Sequence, residues 1–139
     1  MNYAPHTRTI NSLEFHPTDP SKLYSSAYDG TVRCMDVNKG SFDFVYGTAD
    51  HGHDVWLQHA KLGGGNTASV LYVSDSNGTV TAVDIRAKAV PLWSKQCHEK
   101  KVNTVSVHPL QPEYIVTASL ERCCKICCLL YTSPSPRDS

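Results

Sequence analysis

The stretch that decides the fold begins His6-Thr7-Arg8-Thr9-Ile10-Asn11-Ser12-Leu13-Glu14-Phe15-His16-Pro17. It continues Leu23-Tyr24-Ser25-Ser26-Ala27-Tyr28-Asp29-Gly30-Thr31-Val32-Arg33-Cys34-Met35-Asp36. Ile10, Leu13 and Phe15 form an apolar stripe that ends at His16-Pro17, and Thr18-Asp19-Pro20-Ser21 is turn chemistry. Leu23 to Ala27 is short, small and apolar, as a buried strand requires. Tyr28-Asp29-Gly30 signals a hairpin, because glycine tolerates positive φ and aspartate can bond the turn backbone. Thr31 to Met35 supplies the next strand. Phe42, Phe44 and Tyr46 then alternate with Asp43 and Val45, the period of a strand with one buried face.

The pattern returns 92 residues later without a gap. His98 falls on His6, Val102 on Ile10, Asn103 on Asn11, Val105 on Leu13, and His108-Pro109 on His16-Pro17. Ile115 likewise falls on Leu23, Glu121 on Asp29 and Lys125 on Arg33. A looser middle copy places Asn77-Gly78-Thr79-Val80 on Asp29-Gly30-Thr31-Val32 and Asp84 on Asp36. The unit is a four-stranded antiparallel sheet repeated at close to the ~40–45 residues of a propeller blade. The expected divisions are residues 1–50 for the first blade, 51–97 for a divergent second blade and 98–127 for a truncated third.

Composition narrows the function classes. Thirteen Lys+Arg against thirteen Asp+Glu give no bulk argument for nucleic acid or membrane, although a local basic patch stays open. No stretch approaches ~18 apolar residues, so no membrane span is expected. Met1-Asn2-Tyr3-Ala4-Pro5-His6 lacks a charged start and an apolar core, so no secretory signal is visible and an intracellular setting is expected. Cys123-Cys124-Lys125-Ile126-Cys127-Cys128 has the density of a metal site. Adjacent residues on a strand point to opposite faces, however, so no metal is expected there. Gly63-Gly64-Gly65 is not followed by Gly-Lys-Ser/Thr and reads as a strand connection rather than a phosphate loop. His51-Gly52-His53-Asp54 sits where the second copy should open. Nothing fixes a nucleophile beside a base, so no enzyme, cofactor or small-molecule substrate is expected.

Residues 128–139, from Cys128-Leu129-Leu130-Tyr131-Thr132-Ser133 onward, resemble the translation of a transposon-end adaptor used in sequencing libraries. On that reading the tail has no function. On the same reading codon 127 begins with TG, which allows Cys, Trp or a stop.

The repeated residues resemble the WD-repeat family. Its pattern is a histidine before the first strand, Ser or Thr in the second, Asp in the following turn, and Trp-Asp ending the third. The first copy has His6, Ser25, Asp29 and Met35-Asp36; the third has His98, Thr117, Glu121 and position 127. The resemblance implies a hydrogen-bond chain from turn carboxylate to imidazole to hydroxyl to indole. Met35 and Val83 replace the indole in the first two copies.

Leu13-Glu14-Phe15-His16-Pro17, Asp29-Gly30-Thr31-Val32-Arg33-Cys34, Asp84-Ile85-Arg86 and Val105-Ser106-Val107-His108-Pro109 are similar to the subfamily of WD repeat-containing protein 76. Damage-specific DNA-binding protein 2 is similar more loosely. The resemblance implies an all-β partial propeller of two to three blades in a nuclear protein of the DNA damage response. It implies DNA or chromatin as one partner. It also implies the adaptor subunit of a cullin-4 ubiquitin ligase as another, for which the protein would be a substrate receptor. Arg8, Tyr28, Lys100, Lys101 and Arg122 are the expected DNA-facing residues, since the loop before the first strand and the second turn share one face of a propeller. Asp84 and Arg86, on the other face, are the expected adaptor-binding residues. The rival expectation is a protein-interaction scaffold with no affinity for DNA.

Overall fold

The computed structural model describes residues 4–48, 55–63, 69–86, 90–108, 114–120 and 124–128. Within them lie eleven strands and three antiparallel sheets. The first sheet is a meander of β1 (Ile10–Phe15), β2 (Lys22–Ala27), β3 (Thr31–Asp36) and β4 (Ser41–Gly47). The second repeats that order with β5 (Leu57–Leu62), β6 (Val70–Asp75), β7 (Thr79–Asp84) and β8 (Val90–Gln96). The third holds β9 (Val102–Val107), β10 (Tyr114–Ser119) and β11 (Cys124–Cys128). His51 to Asp54, Gly64, Gly65, Glu121, Arg122, Cys123 and residues 129–139 lie outside the described residues.

The sheets stack face to face through two apolar cores. Tyr24, Val32 and Tyr46 of the first sheet meet Leu57, Leu71, Val73 and Val83 of the second. Tyr72, Val80 and Ala82, on the far side of that sheet, meet Val102, Val105 and Ile115 of the third. Period-two alternation makes this possible: neighbouring residues of β6 enter opposite cores, so both faces of the middle sheet are buried.

The innermost strands β1, β5 and β9 lie side by side, and each turns unpaired backbone groups toward its neighbour. Side chains satisfy them by a rule that repeats. Ser12 Oγ accepts the Ala60 amide at 3.3 Å, and His59 Nδ1, one sheet on, accepts the Val105 amide at 2.9 Å. Cross-strand register shows why the bonds correspond. Leu13 pairs with Ser25, Ala60 with Val73 and Val105 with Thr117, so Ser12 and His59 each precede the same position of the repeat. Glu14 adds a bond from the Leu62 amide at 2.6 Å and an ion pair with Lys61 at 2.5 Å.

Among the described residues, the outward face of the first sheet carries exposed apolar side chains. The apolar stripe of Ile10, Leu13 and Phe15 faces outward, with Leu13 63% and Phe15 57% exposed. It lies on the side of β1 away from the second sheet. Phe44 departs from the expected alternation for a local reason. A register shift between Val32 and Arg33 sets Val32 opposite Tyr46 and Arg33 opposite Phe44. The extra residue lets Tyr46 and Val45 serve the core and leaves Phe44 on the open face. There the Arg33 guanidinium sits 5.7 Å from the Phe44 ring, and Arg33 Nε has no hydrogen-bond partner among the described residues.

Candidate nucleic-acid interface

One rim of the array is built from the segments that open each inner strand and from the turns between the second and third strands. A single backbone bond positions it three times. The turn amide donates to the carbonyl just before the inner strand: Tyr28 to Thr9 at 3.0 Å, Ser76 to Trp56 at 2.9 Å and Leu120 to Lys101 at 3.3 Å. Thr9, Trp56 and Lys101 are therefore equivalent, as are Arg8, Val55 and Lys100 just before them. Arg8 and Lys100 are exposed on this rim, and Tyr28 is 37% exposed on its turn. Glu99, also exposed, is the acidic neighbour of Lys100. Arg122 lies outside the described residues.

The rim is tied to the first sheet by a carboxylate. Asp29 Oδ1 accepts the Thr31 amide at 2.9 Å and the Thr31 hydroxyl at 2.6 Å. Asp29 Oδ2 accepts the Thr7 amide and His6 Nδ1, each at 3.1 Å. A carboxylate can only accept, so in the neutral ring Nδ1 carries the proton and Nε2 accepts from the Ser25 hydroxyl at 2.7 Å. Burial alone would raise the Asp29 pKa. Bonds from Thr31, Thr7 and His6 outweigh it and hold the carboxyl below its ordinary value. Ser25 Oγ also lies 3.4 Å from the Arg33 carbonyl oxygen. Met35, paired with Leu23, offers no polar group to extend the chain.

The other sheets keep parts of this arrangement. In the third, His98 Nε2 meets the Thr117 hydroxyl at 2.8 Å in full burial, and Glu121 lies outside the described residues. Cys127 pairs with Ile115, just as Met35 pairs with Leu23 and Val83 with Leu71. Position 127 is thus the register equivalent of Met35 and Val83. In the second sheet Asp75, two residues before Asn77, supplies the turn carboxylate and accepts the Asn77 and Thr79 amides at 2.9 and 3.0 Å. Gly78, at φ +84°, brings its carbonyl under the Cys97 and His98 amides at 3.0 and 3.1 Å.

Two residues of the rim escape a reading of the sequence alone. Thr31 contacts His6 Nδ1 at 3.1 Å; its return as Thr79 after the turn glycine was the available signal. Trp56 packs edge-on against Tyr28, ring centroids 6.2 Å apart at 70°. Counting back from β5 would have placed it at the position of Thr9.

The opposite face carries Asp84 and Arg86. Asp84 Oδ1 accepts the Arg86 amide at 2.9 Å and lies 3.4 Å from Arg86 Nε, while the Arg86 side chain is 75% exposed. The bond from the Arg86 amide is the main cause of the lowered Asp84 pKa. Arg86 also borders a cleft of about 560 Å³ between the first two sheets, with Lys22, Tyr24, Cys34, Asp43 and Phe44.

Comparison with known proteins follows this geometry. The family described as WD domain, G-beta repeat, matches residues 1–36. The DNA damage-binding protein CMR1 of Phaeosphaeria nodorum is 39% identical over 88% of this chain and 23% of its own length. Its namesake in Coccidioides immitis is 36% identical over 88% of this chain and 24% of its own length. The cmr1 protein of Emericella nidulans is 33% identical over 98% of this chain and 26% of its own length. The chain thus spans about a quarter of the length of these relatives. Among solved structures, the computationally designed Ika4 protein superposes with a TM-score of 0.68 at 17% identity, over 89% of this chain and 68% of its own. The designed Ika8 protein gives 0.67 at 17% identity, over 88% of this chain and 34% of its own, a likeness of fold alone. The family match over residues 1–36, the repeated sheets and the shared turn chemistry show WD repeats in this chain, with the fold of part of a β-propeller.

Proposed function

We propose that the chain contributes blades to a non-enzymatic, nuclear WD-repeat protein that binds DNA, with a preference for damaged DNA. In this reading residues 1–50, 51–97 and 98–127 each form one blade, and residues 128–139 carry no function. The observation that carries the proposal is the alignment of nearly the whole chain with proteins named for binding DNA damage. The rim supports it: Arg8 and Lys100 occupy one repeat position in different sheets, and Lys101 follows directly. Recurrence at one position spaces the cations along a track, which is what phosphates at regular intervals require. Asp84 and Arg86 on the opposite face leave a second surface free while DNA is bound. We assign that surface to the adaptor of a cullin-4 ubiquitin ligase, for which the protein would act as substrate receptor.

Binding of the intact protein to a duplex carrying a lesion, measured against the undamaged duplex, tests the first part. Tighter binding to the lesion is expected; no affinity for either duplex would favour a protein-interaction scaffold. Co-purification with the adaptor, lost in Arg86→Ala, tests the second part. Unchanged recovery would remove Arg86 from that contact.

A further inference from the structure

We infer that Tyr28 and Trp56 form a stacking site for an unpaired base, which deepens and rests on the DNA-binding reading above. The two rings come from different sheets and meet at the rim, 6.2 Å apart and inclined at 70°. An edge-on pair leaves both faces of the ring that presents its edge uncovered by its partner. Tyr28 is 37% exposed and Trp56 is only half-buried, so solvent reaches the pair.

The Trp56 ring and the Tyr28 backbone are held before any ligand arrives. The Tyr28 amide bonds the Thr9 carbonyl at 3.0 Å. Trp56 exchanges backbone bonds with Ser76, donating to Ser76 Oγ at 3.1 Å and accepting the Ser76 amide at 2.9 Å. The indole N–H donates to Gln58 Oε1 at 2.6 Å, so the ring has its polar partner and a fixed orientation. A preset ring loses little rotamer freedom on binding, which favours stacking.

The order of groups along the rim gives the ligand class. Arg8 lies on one side, Tyr28 and Trp56 follow, and Lys100 and Lys101 come one sheet on. Cation, aromatic pair, cation is the arrangement that tracks a nucleic-acid backbone while a base leaves the stack and lies on a ring. In an intact duplex a base must be unstacked and unpaired to reach such a site, whereas a mismatched, damaged or bulged base costs less to expose. The aromatic pair therefore supplies discrimination, and the cations supply affinity common to all duplexes.

The test compares a matched duplex with one carrying a single unpaired 2-aminopurine, bound to the intact protein. Trp56→Leu and Tyr28→Leu should weaken binding of the bulged duplex about 5- to 150-fold, the range for loss of one base–aromatic stack. Binding of the matched duplex should stay within about twofold, and Trp56→Phe should keep most of the preference. The 2-aminopurine fluorescence should be quenched by the unsubstituted protein and recovered in the leucine variants. Equal losses on both duplexes, or no loss on either, would overturn the stacking site while leaving DNA binding in place. Failure of the unsubstituted protein to bind either duplex would overturn the DNA-binding reading as well.

Discussion

Removing the Asp29 carboxylate tests the link between the turn and the sheet beneath it. Asp29→Ala takes the acceptor from four donors: the Thr31 amide and hydroxyl, the Thr7 amide and His6 Nδ1. Each bond to a charged acceptor contributes about 1.5–3 kcal/mol, but the values do not add. Water can replace the carboxylate at Thr7, where the bond is exposed. It cannot easily do so at His6, whose side chain is fully buried. His6 Nδ1 then keeps only the neutral Thr31 hydroxyl, 3.1 Å away, as its acceptor, and this weaker bond plus the lost turn bonds gives a cost of about 3 kcal/mol. Asp29→Asn keeps one acceptor oxygen and should cost about half as much. Proteins open locally at lower cost than they unfold globally, so amide exchange at Thr31 and Tyr28 reads the local effect best. Faster exchange by about two orders of magnitude in Asp29→Ala is expected. The sign of the pH effect is fixed by the lowered carboxyl. Its contribution is present above the ordinary value of 3.8 and is lost as pH falls through the folded value, where both proteins should converge. A change of less than about 0.5 kcal/mol at neutral pH would refute the reasoning.

Other consequences are independent of this one. Burial lowers the His59 pKa from its ordinary 6.5, against Glu14, which raises it, and with Lys61, which lowers it. The unfolded chain then binds the proton more readily, so His59 makes stability fall as pH drops below about 6.5. His59→Asn keeps an acceptor for the Val105 amide and should remove that dependence from thermal unfolding curves. Gly78→Ala forces a side chain into a positive-φ turn against the His98 carbonyl and should cost several kcal/mol (about 3 or more), seen as loss of soluble protein. The 139-residue chain expressed by itself exposes Leu13, Phe15 and Phe44 on an open sheet face. Sedimentation should show association or poor solubility, not a sharply melting monomer.

The parts of the fold legible in the sequence are those where local chemistry and position agree. The turn glycines, the strand periodicity and the 92-residue recurrence all report the same register. His6, Asp29 and Ser25 could be placed because their spacing is fixed by strand length. Phe44 could not, because a single-residue register shift inverts a face without leaving a mark in the alternation. The side to which Leu13 and Phe15 turn was not legible either, since an apolar strand in a repeat array packs on a neighbouring unit and not on its own sheet. Trp56 was hidden for a different reason. Its significance arises from Tyr28, which belongs to another sheet, and such a juxtaposition depends on how sheets stack.

The most direct test of the central claim is the salt dependence of DNA binding by the intact protein with Arg8→Glu and Lys100→Glu combined. If both residues neutralise phosphates, the slope of log affinity against log salt should flatten by about 1.8, two contacts at ~0.9 each. Affinity should fall on damaged and undamaged duplexes alike. An unchanged slope and unchanged affinity would contradict the assignment of this rim to DNA.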